Sequence, residues 1–239
     1  MKITSLTNQK VKYYVRLKDK KFRDVENMFL VEGDHLVNEA INKGYAREII
    51  SLNEFDSNLP VVLVTEEIMK KISSQKSISP ICAVCRKIPT NKIGETVIAL
   101  DDIQDPGNLG TIIRSSVAFD IDTILLGDKS VDLYNEKVIR SSEGMIFKKN
   151  VLRCNLHDKL LELKKSGYEI IGTDLKNGTN VKAFDFPKKV VIVMGNEGNG
   201  LSDLVKEVCD NYIYIDMNNE CESLNVAVAS SIILYEMRK

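Results

Sequence analysis

The chain has 239 residues, 44% of them apolar, with no tryptophan and a formal net charge of −1 at neutral pH. That length suits one large or two modest domains with ordinary cores, and the composition excludes disordered and fibrous classes. No apolar run approaches the about 20 residues of a spanning helix, and Met1-Lys2-Ile3-Thr4-Ser5 lacks the apolar stretch of a signal peptide, so a soluble, cytoplasmic protein is expected.

The near-neutral total conceals a split. Residues 1–92 carry 16 Lys and Arg against 11 Asp and Glu, whereas residues 93–239 carry 17 against 23. The excess is concentrated in residues 1–23, where Lys10, Lys12, Arg16, Lys20, Lys21 and Arg23 stand among the basic residues and Asp19 is the single acid. A solvated helix face would account for such a run. A phosphate-contacting arm accounts for it equally, and the local excess with Tyr13 and Tyr14 within it favours the arm.

After this arm, Phe29-Leu30-Val31-Glu32-Gly33 reads as a strand ending at a glycine, with Asp34 capping a helix that runs through Ile41 and stops at Gly44. Arg47 to Leu52 and Val61 to Val64 are further strands, and Thr65-Glu66-Glu67 starts another helix. Ile81-Cys82-Ala83-Val84-Cys85 reads as a buried strand. Its C-x-x-C has no second Cys or His pair at zinc spacing, and the five cysteines are expected as free thiols. His35 and His157 have no catalytic partner visible in sequence. A linker is expected within 88–95, rich in Pro, Gly and polar residues, dividing a first domain, 1–92, from a second, 97–239, with 93–96 ending the linker.

The second domain opens with Val97-Ile98-Ala99-Leu100, a continuous apolar run of the kind a parallel sheet buries on both faces. Asp101 to Gly110 reads as a turn-rich loop and Thr111 to Phe119 as a helix. Thr123 to Gly127 is the next strand, and Lys137 to Met145 a helix. Tyr168 to Gly172 and Val190 to Gly195 continue a βαβ rhythm, and Gly195-Asn196-Glu197-Gly198-Asn199-Gly200-Leu201-Ser202 follows the latter strand as a glycine loop. Leu201 stands where a Walker loop needs Lys, and the glycines lack G-x-G-x-x-G order, so neither nucleotide motif is met. Last come a strand over Ile213 to Met217, a polar turn, and a terminal helix with Glu222 and Ser223 at its start. That helix is apolar on nearly every side, which predicts cover by its own sheet on one face and by a second subunit on another.

Together these stretches resemble the SpoU family of RNA 2'-O-methyltransferases, the TrmH-like branch of the SPOUT superfamily. Its first motif is matched by Asp105 to Gly110 with Arg114. The second is matched by Met194 to Gly198 with Gly200-Leu201-Ser202, and the third by Ile215, Met217 and Glu222 to Ala229. More weakly, residues 28 to about 86 resemble the substrate-binding domain often found ahead of it. The sequence departs from the family at Asp216, where Pro is common, and in the 218–221 loop, which lacks the usual Gly.

The resemblance implies an α/β fold with a C-terminal trefoil-knotted methyltransferase domain behind a smaller N-terminal α/β domain. It also implies S-adenosylmethionine as methyl donor and a homodimer formed through the C-terminal domain, while the cysteine spacing leads to no metal being expected. Gly195, Ile215 and Leu224 are expected to contact the cofactor, with Leu126, Gly127, Asn196, Gly198 and Met217 nearby. Asn108, Arg114, Glu197, Ser223 and Asn225 become the polar groups around the reacting ribose. Ribosomal RNA is favoured as substrate over transfer RNA, and a non-enzymatic RNA-binding protein retaining the fold is the other alternative.

Overall fold

The computed structural model describes residues 1–75, 77–175 and 177–238. They form two compact units, Met1–Pro89 with Asp132–Phe147, and Thr90–Val131 with Lys148–Lys239.

The first unit begins with β1 (Lys2–Ile3), α1 (Gln9–Arg16) and α2 (Lys20–Glu26), so the basic arm is a pair of short helices. Asn8 and Asp19 cap them, each side chain accepting a backbone N–H of the first turn. There follow β2 (Met28–Glu32), α3 (Asp34–Asn42), β3 (Ala46–Ser51), β4 (Val61–Val64), α4 (Glu66–Ile72) and β5 (Ile81–Arg86). The strands form one sheet in the order β1-β4-β3-β5-β2, with β5 antiparallel to both of its neighbours. Thr65 caps α4 as expected, whereas α3 starts differently. Its cap position is Gly33 at φ 101°, a conformation that suits glycine, and Asp34 lies inside the first turn, where its charge favours the helix N-terminus. Cys82 and Cys85 are buried in β5, and all five cysteines are free thiols.

The second unit is a parallel α/β layer. It starts with β6 (Thr96–Leu100), α5 (Pro106–Ala118) and β7 (Thr123–Gly127). The chain then contributes Asp132–Phe147 to the first unit, where α6 (Glu136–Ser141) and a short 3-10 turn (Met145–Lys148) bring Ile139, Ile146 and Phe147 into a core with Phe29 and Val31. The continuous helix expected over Lys137 to Met145 is not formed. Glu143 and Gly144 both take left-handed φ values, 48° and 77°, which ends helical hydrogen bonding there.

The second unit resumes with β8 (Asn150–Cys154), α7 (Leu156–Lys165), β9 (Glu169–Thr173), β10 (Thr179–Asn180), β11 (Val190–Met194), α8 (Asp203–Lys206), β12 (Asn211–Tyr214) and α9 (Val226–Met237). Its seven strands lie in the order β10-β12-β9-β11-β6-β7-β8, every pairing parallel. Every residue of β7 and β11 is buried, as helix cover on both faces of a parallel sheet requires. Each buried Val, Ile or Leu of this kind contributes about 1.5–3 kcal/mol. Among the described residues, no helix is long and apolar enough to cross a membrane.

Three boundaries differ from expectation, and all three bear on the site. First, α5 begins at Pro106 and not at Thr111. The Asp105 carboxylate accepts from Asn108 N at 3.0 Å, and proline presets the first helical φ, so Gly107 and Gly110 are carried inside a helix that their composition disguised. Second, β12 stops at Tyr214, because its pairing with β9 ends at Ile213–Thr173 and its pairing with β10 ends at Tyr214–Asn180. Third, α9 is capped by Asn225, whose side chain accepts from Ala227 N and Val228 N, and Glu222 and Ser223 remain in the preceding loop.

Candidate active site

In a parallel sheet the loops that leave the carboxyl ends of neighbouring strands share one edge, where ligand sites are built. Here the loops after β9, β11 and β12 enclose a cavity of about 640 Å³. Gly195, Asn196, Gly198, Ile215, Met217 and Leu224 of the expected cofactor residues line it. Apolar side chains together with loop backbone give the mixture of faces, donors and acceptors that an adenosine and a methionine tail need. Leu126 and Gly127 are buried at the end of β7 and are not among the residues that line the cavity.

The glycine loop closes on itself through paired backbone bonds, Asn196 N to Gly200 O at 2.9 Å and Gly200 N to Asn196 O at 3.0 Å. Glycine is required at 195, where an added Cβ would stand 2.3 Å from the Gly200 carbonyl carbon. Asn196 Oδ1 accepts from Gly198 N and Asn199 N, and Asn196 Nδ2 donates to the Asp102 carbonyl at 2.8 Å. Asp101, buried at the end of β6, accepts from Ser202 N at 2.7 Å and so holds the far end of the loop. Asp102 follows with φ 58°. Burial first, then the neighbouring Asp101 charge, holds its carboxyl above the usual carboxylate range, against an opposing pull from Lys129.

Among the expected catalytic residues, Glu197, Ser223 and Asn225 line the cavity. Asn108 lies beside them in the first turn of α5. Its Nδ2 donates to Glu197 Oε1 at 2.9 Å, and its Oδ1 accepts from Asn225 Nδ2 at the same distance. Glu197 also accepts from Gln104 N and Asp105 N at 3.4 and 3.5 Å, so its charge sits at the positive N-terminal end of α5. Ser223 is exposed, and with Asn225 as the cap its hydroxyl is not committed to α9. Arg114 is exposed on α5 and does not line the cavity, and no hydrogen bond or ion pair among the described residues engages its guanidinium.

Thr173, Asp174 and Ile233 also line the cavity and were not singled out by sequence. For Thr173 and Asp174 the strand order supplies the reason, since β9 lies between β11 and β12 and its carboxyl end therefore opens into the same space, and Ile233 reaches it from α9. That order is not written in any local motif.

The basic residues of the first unit divide. Lys12, Lys20 and Lys21 are exposed, and Arg16 lies over the Phe22 ring with 3.9 Å from Cζ to the centroid. Lys10 pairs with the Glu48 carboxylate, which also accepts from Tyr14 Oη at 2.5 Å. Arg23 is 6% exposed and donates to Leu17 O, Lys18 O and the Asp132 carboxylate, so its expected role as a surface phosphate contact is corrected to a structural one.

A model of the SpoU rRNA Methylase family matches residues 95–235, and one of an MRM3-like substrate binding domain matches residues 8–83. The chain belongs to the SpoU rRNA methylase family. It is 36% identical over 245 residues to the 23S rRNA (guanosine(2553)-2'-O)-methyltransferase RlmP of Bacillus subtilis, covering 99% of this chain and 98% of that protein. The crystal structure of an AdoMet-bound rRNA methyltransferase from Sinorhizobium meliloti superposes with a TM-score of 0.88 at 28% identity, covering 100% of this chain and 97% of that one. The A. aeolicus TrmH/SpoU tRNA modifying enzyme matches 62% of this chain and 76% of its own, with a TM-score of 0.52 and 28% identity.

Proposed function

We propose that this SpoU-family chain transfers a methyl group from S-adenosylmethionine to a ribose 2'-hydroxyl of 23S ribosomal RNA. The observation that carries the reading is the joining of all three motif loops at one cavity by the Glu197–Asn108–Asn225 hydrogen-bond chain. The full-length match to an enzyme named for 23S rRNA supports ribosomal over transfer RNA, since the tRNA enzyme matches only part of the chain. The cavity's apolar walls and backbone groups fit the cofactor. When bound, it supplies an electrophilic methyl group on a sulfonium.

The chain's own contribution is then mainly positional. Holding the two reactants at attack distance removes much of the barrier. Asn108, Glu197, Ser223 and Asn225 surround the ribose, and Leu224, Ile215 and Gly195 hold the cofactor. Arg114 binds the adjoining phosphate and stabilises the negative charge that develops on the 2'-oxygen as its proton passes to solvent, because a guanidinium presents only donors.

We further infer a homodimer through α9. Val228 and Tyr235 are 48% and 57% exposed there, and with Thr111 and Ile232 they border an apolar hollow of about 320 Å³. Arg114 lies one turn beyond Thr111 on α5, beside this face and outside its own chain's cavity. In the dimer, Arg114 of the partner subunit completes the site.

The test is to incubate the purified protein with methyl-tritiated S-adenosylmethionine and, separately, unmodified 23S rRNA and unmodified tRNA. Label in 23S rRNA is expected. Label in tRNA alone, or in neither with cofactor binding intact, would overturn the substrate assignment or the catalytic reading respectively.

A further inference from the structure

Of the eight basic side chains in residues 1–23, three are spent on the protein itself. Lys10 is paired with Glu48, Lys18 donates to the carbonyls of Lys71 and Ser73 at the end of α4, and Arg23 is buried against Asp132. Arg16 is different. It is exposed on the last turn of α1, no carboxylate or carbonyl among the described residues engages it, and its guanidinium is held 3.9 Å from the centre of the Phe22 ring. Tyr13 packs edge-on against the same ring at 5.7 Å, and Lys12 is exposed one turn back along α1.

Three anchors hold this cluster on rigid elements. The Asp19 carboxylate accepts from Phe22 N at 2.9 Å, and Arg23, the next residue, clamps the connection between α1 and α2 through Leu17 O and Lys18 O. Leu17 and Tyr14 are buried beneath. Among the described residues the three other cation–aromatic pairs are looser, at 5.1–5.7 Å. A guanidinium pinned by one face to an aromatic ring leaves its other face and its edge donors open, in a fixed plane and at little cost in side-chain entropy. That is the arrangement on which an unpaired nucleobase stacks, with the edge donors and nearby lysines meeting the flanking phosphates.

We propose that Arg16, backed by Phe22, is a stacking site for an unpaired base of the substrate RNA, with Lys12, Lys20 and Lys21 contacting its phosphates. The inference rests on the RNA reading given above and adds to it a specific contact in the substrate-binding domain.

Binding of the full-length protein to an unmodified 23S rRNA transcript, measured by filter retention over a salt series, tests it. Arg16→Lys keeps the charge and removes the plane, so affinity should fall about 10-fold with the salt slope unchanged. Lys12→Gln should instead lower the slope by about one. Phe22→Leu should reproduce the Arg16→Lys loss, and the melting temperature of Arg16→Lys should match wild type because the side chain is exposed. An Arg16→Lys variant that binds within twofold of wild type overturns the stacking site and leaves the RNA reading standing. Absence of RNA binding by the wild-type protein overturns both.

Discussion

Asn225 Nδ2 donates to Asn108 Oδ1 at 2.9 Å, across 117 residues of sequence. The orientation of both amides follows from the cap. Asn225 Oδ1 is taken by Ala227 N and Val228 N, so only its NH₂ can face Asn108, and Asn108 must then turn its own NH₂ to Glu197. A helix cap thus sets the hydrogen-bonding sense of the whole polar rim of the cavity.

Asn225→Ser separates the two roles. Serine still caps α9, so stability should stay within a few tenths of a kcal/mol of wild type, while methyl transfer falls about 10-fold or more as Asn108 loses its partner. Asn225→Ala should lose about 1 kcal/mol as well as activity. Thermal melts beside single-turnover rates check this, and equal activity of Asn225→Ser and wild type would remove the relay from the account.

Glu197 holds the glycine loop to the N-terminal end of α5 by accepting from Asn108 Nδ2 and two backbone N–H groups. Replacing it by Ala leaves those donors without their acceptor. The rate of transfer should drop roughly 10²-fold, with Gln recovering part of it through its carbonyl oxygen. Calorimetric cofactor affinity should change less than the rate.

Arg23 should behave as a core residue. The Arg23–Asp132 pair has side chains 7% and 17% exposed, and removing one partner strands a buried charge at a cost of about 3–5 kcal/mol. Arg23→Ala is therefore expected to unfold at distinctly lower urea concentration, and Asp132→Ala likewise. A variant with wild-type stability and weakened RNA binding would restore the surface role.

How much of this was legible beforehand depended on range. The apolar runs of β6, β7, β9 and β11 announce a buried parallel sheet, and the motif loops follow those runs directly, so both were readable as local patterns. The start of α5 was not, since Asp105-Pro106 is a good helix opening but Gly107 and Gly110 argue for a turn. For the cap of α9, Glu222, Ser223 and Asn225 present equal local credentials, and only the packed loop decides among them. The burial of Arg23 depends on an aspartate 109 residues away, and no window of sequence contains both.

Burial pushes the Cys154 and Cys209 thiols up to about 11 from an ordinary 9.0. A raised folded-state value means stability that is complete below about pH 9, where unfolded thiols are still protonated, and lost as pH rises from 9 towards 11. Melting temperature should thus fall over that window, and less so in a Cys154→Ser/Cys209→Ser variant. Alkylation at pH 8 should strike the exposed Cys221 first and lose its fast phase in Cys221→Ser.

For the homodimer, Tyr235→Glu at the exposed face of α9 should shift sedimentation from dimer to monomer and abolish transfer. If the partner subunit's Arg114 completes each site, mixing inactive Arg114→Ala with inactive Glu197→Ala should restore activity, up to about a quarter of wild type for random pairing with one sound site in each mixed dimer. No restoration from a mixture shown to exchange subunits would place Arg114 in its own chain's site.

The central claim concerns one atom, the ribose 2'-oxygen, and the most direct measurement locates the methyl group chemically. Unmodified 23S rRNA labelled by the protein and methyl-tritiated S-adenosylmethionine is hydrolysed in alkali, which cannot cleave beside a 2'-O-methylated ribose. All label should appear in a single alkali-resistant dinucleotide and be absent when Asn108→Ala replaces the wild-type protein. Label recovered in mononucleotides would place the methyl on a base and contradict the account.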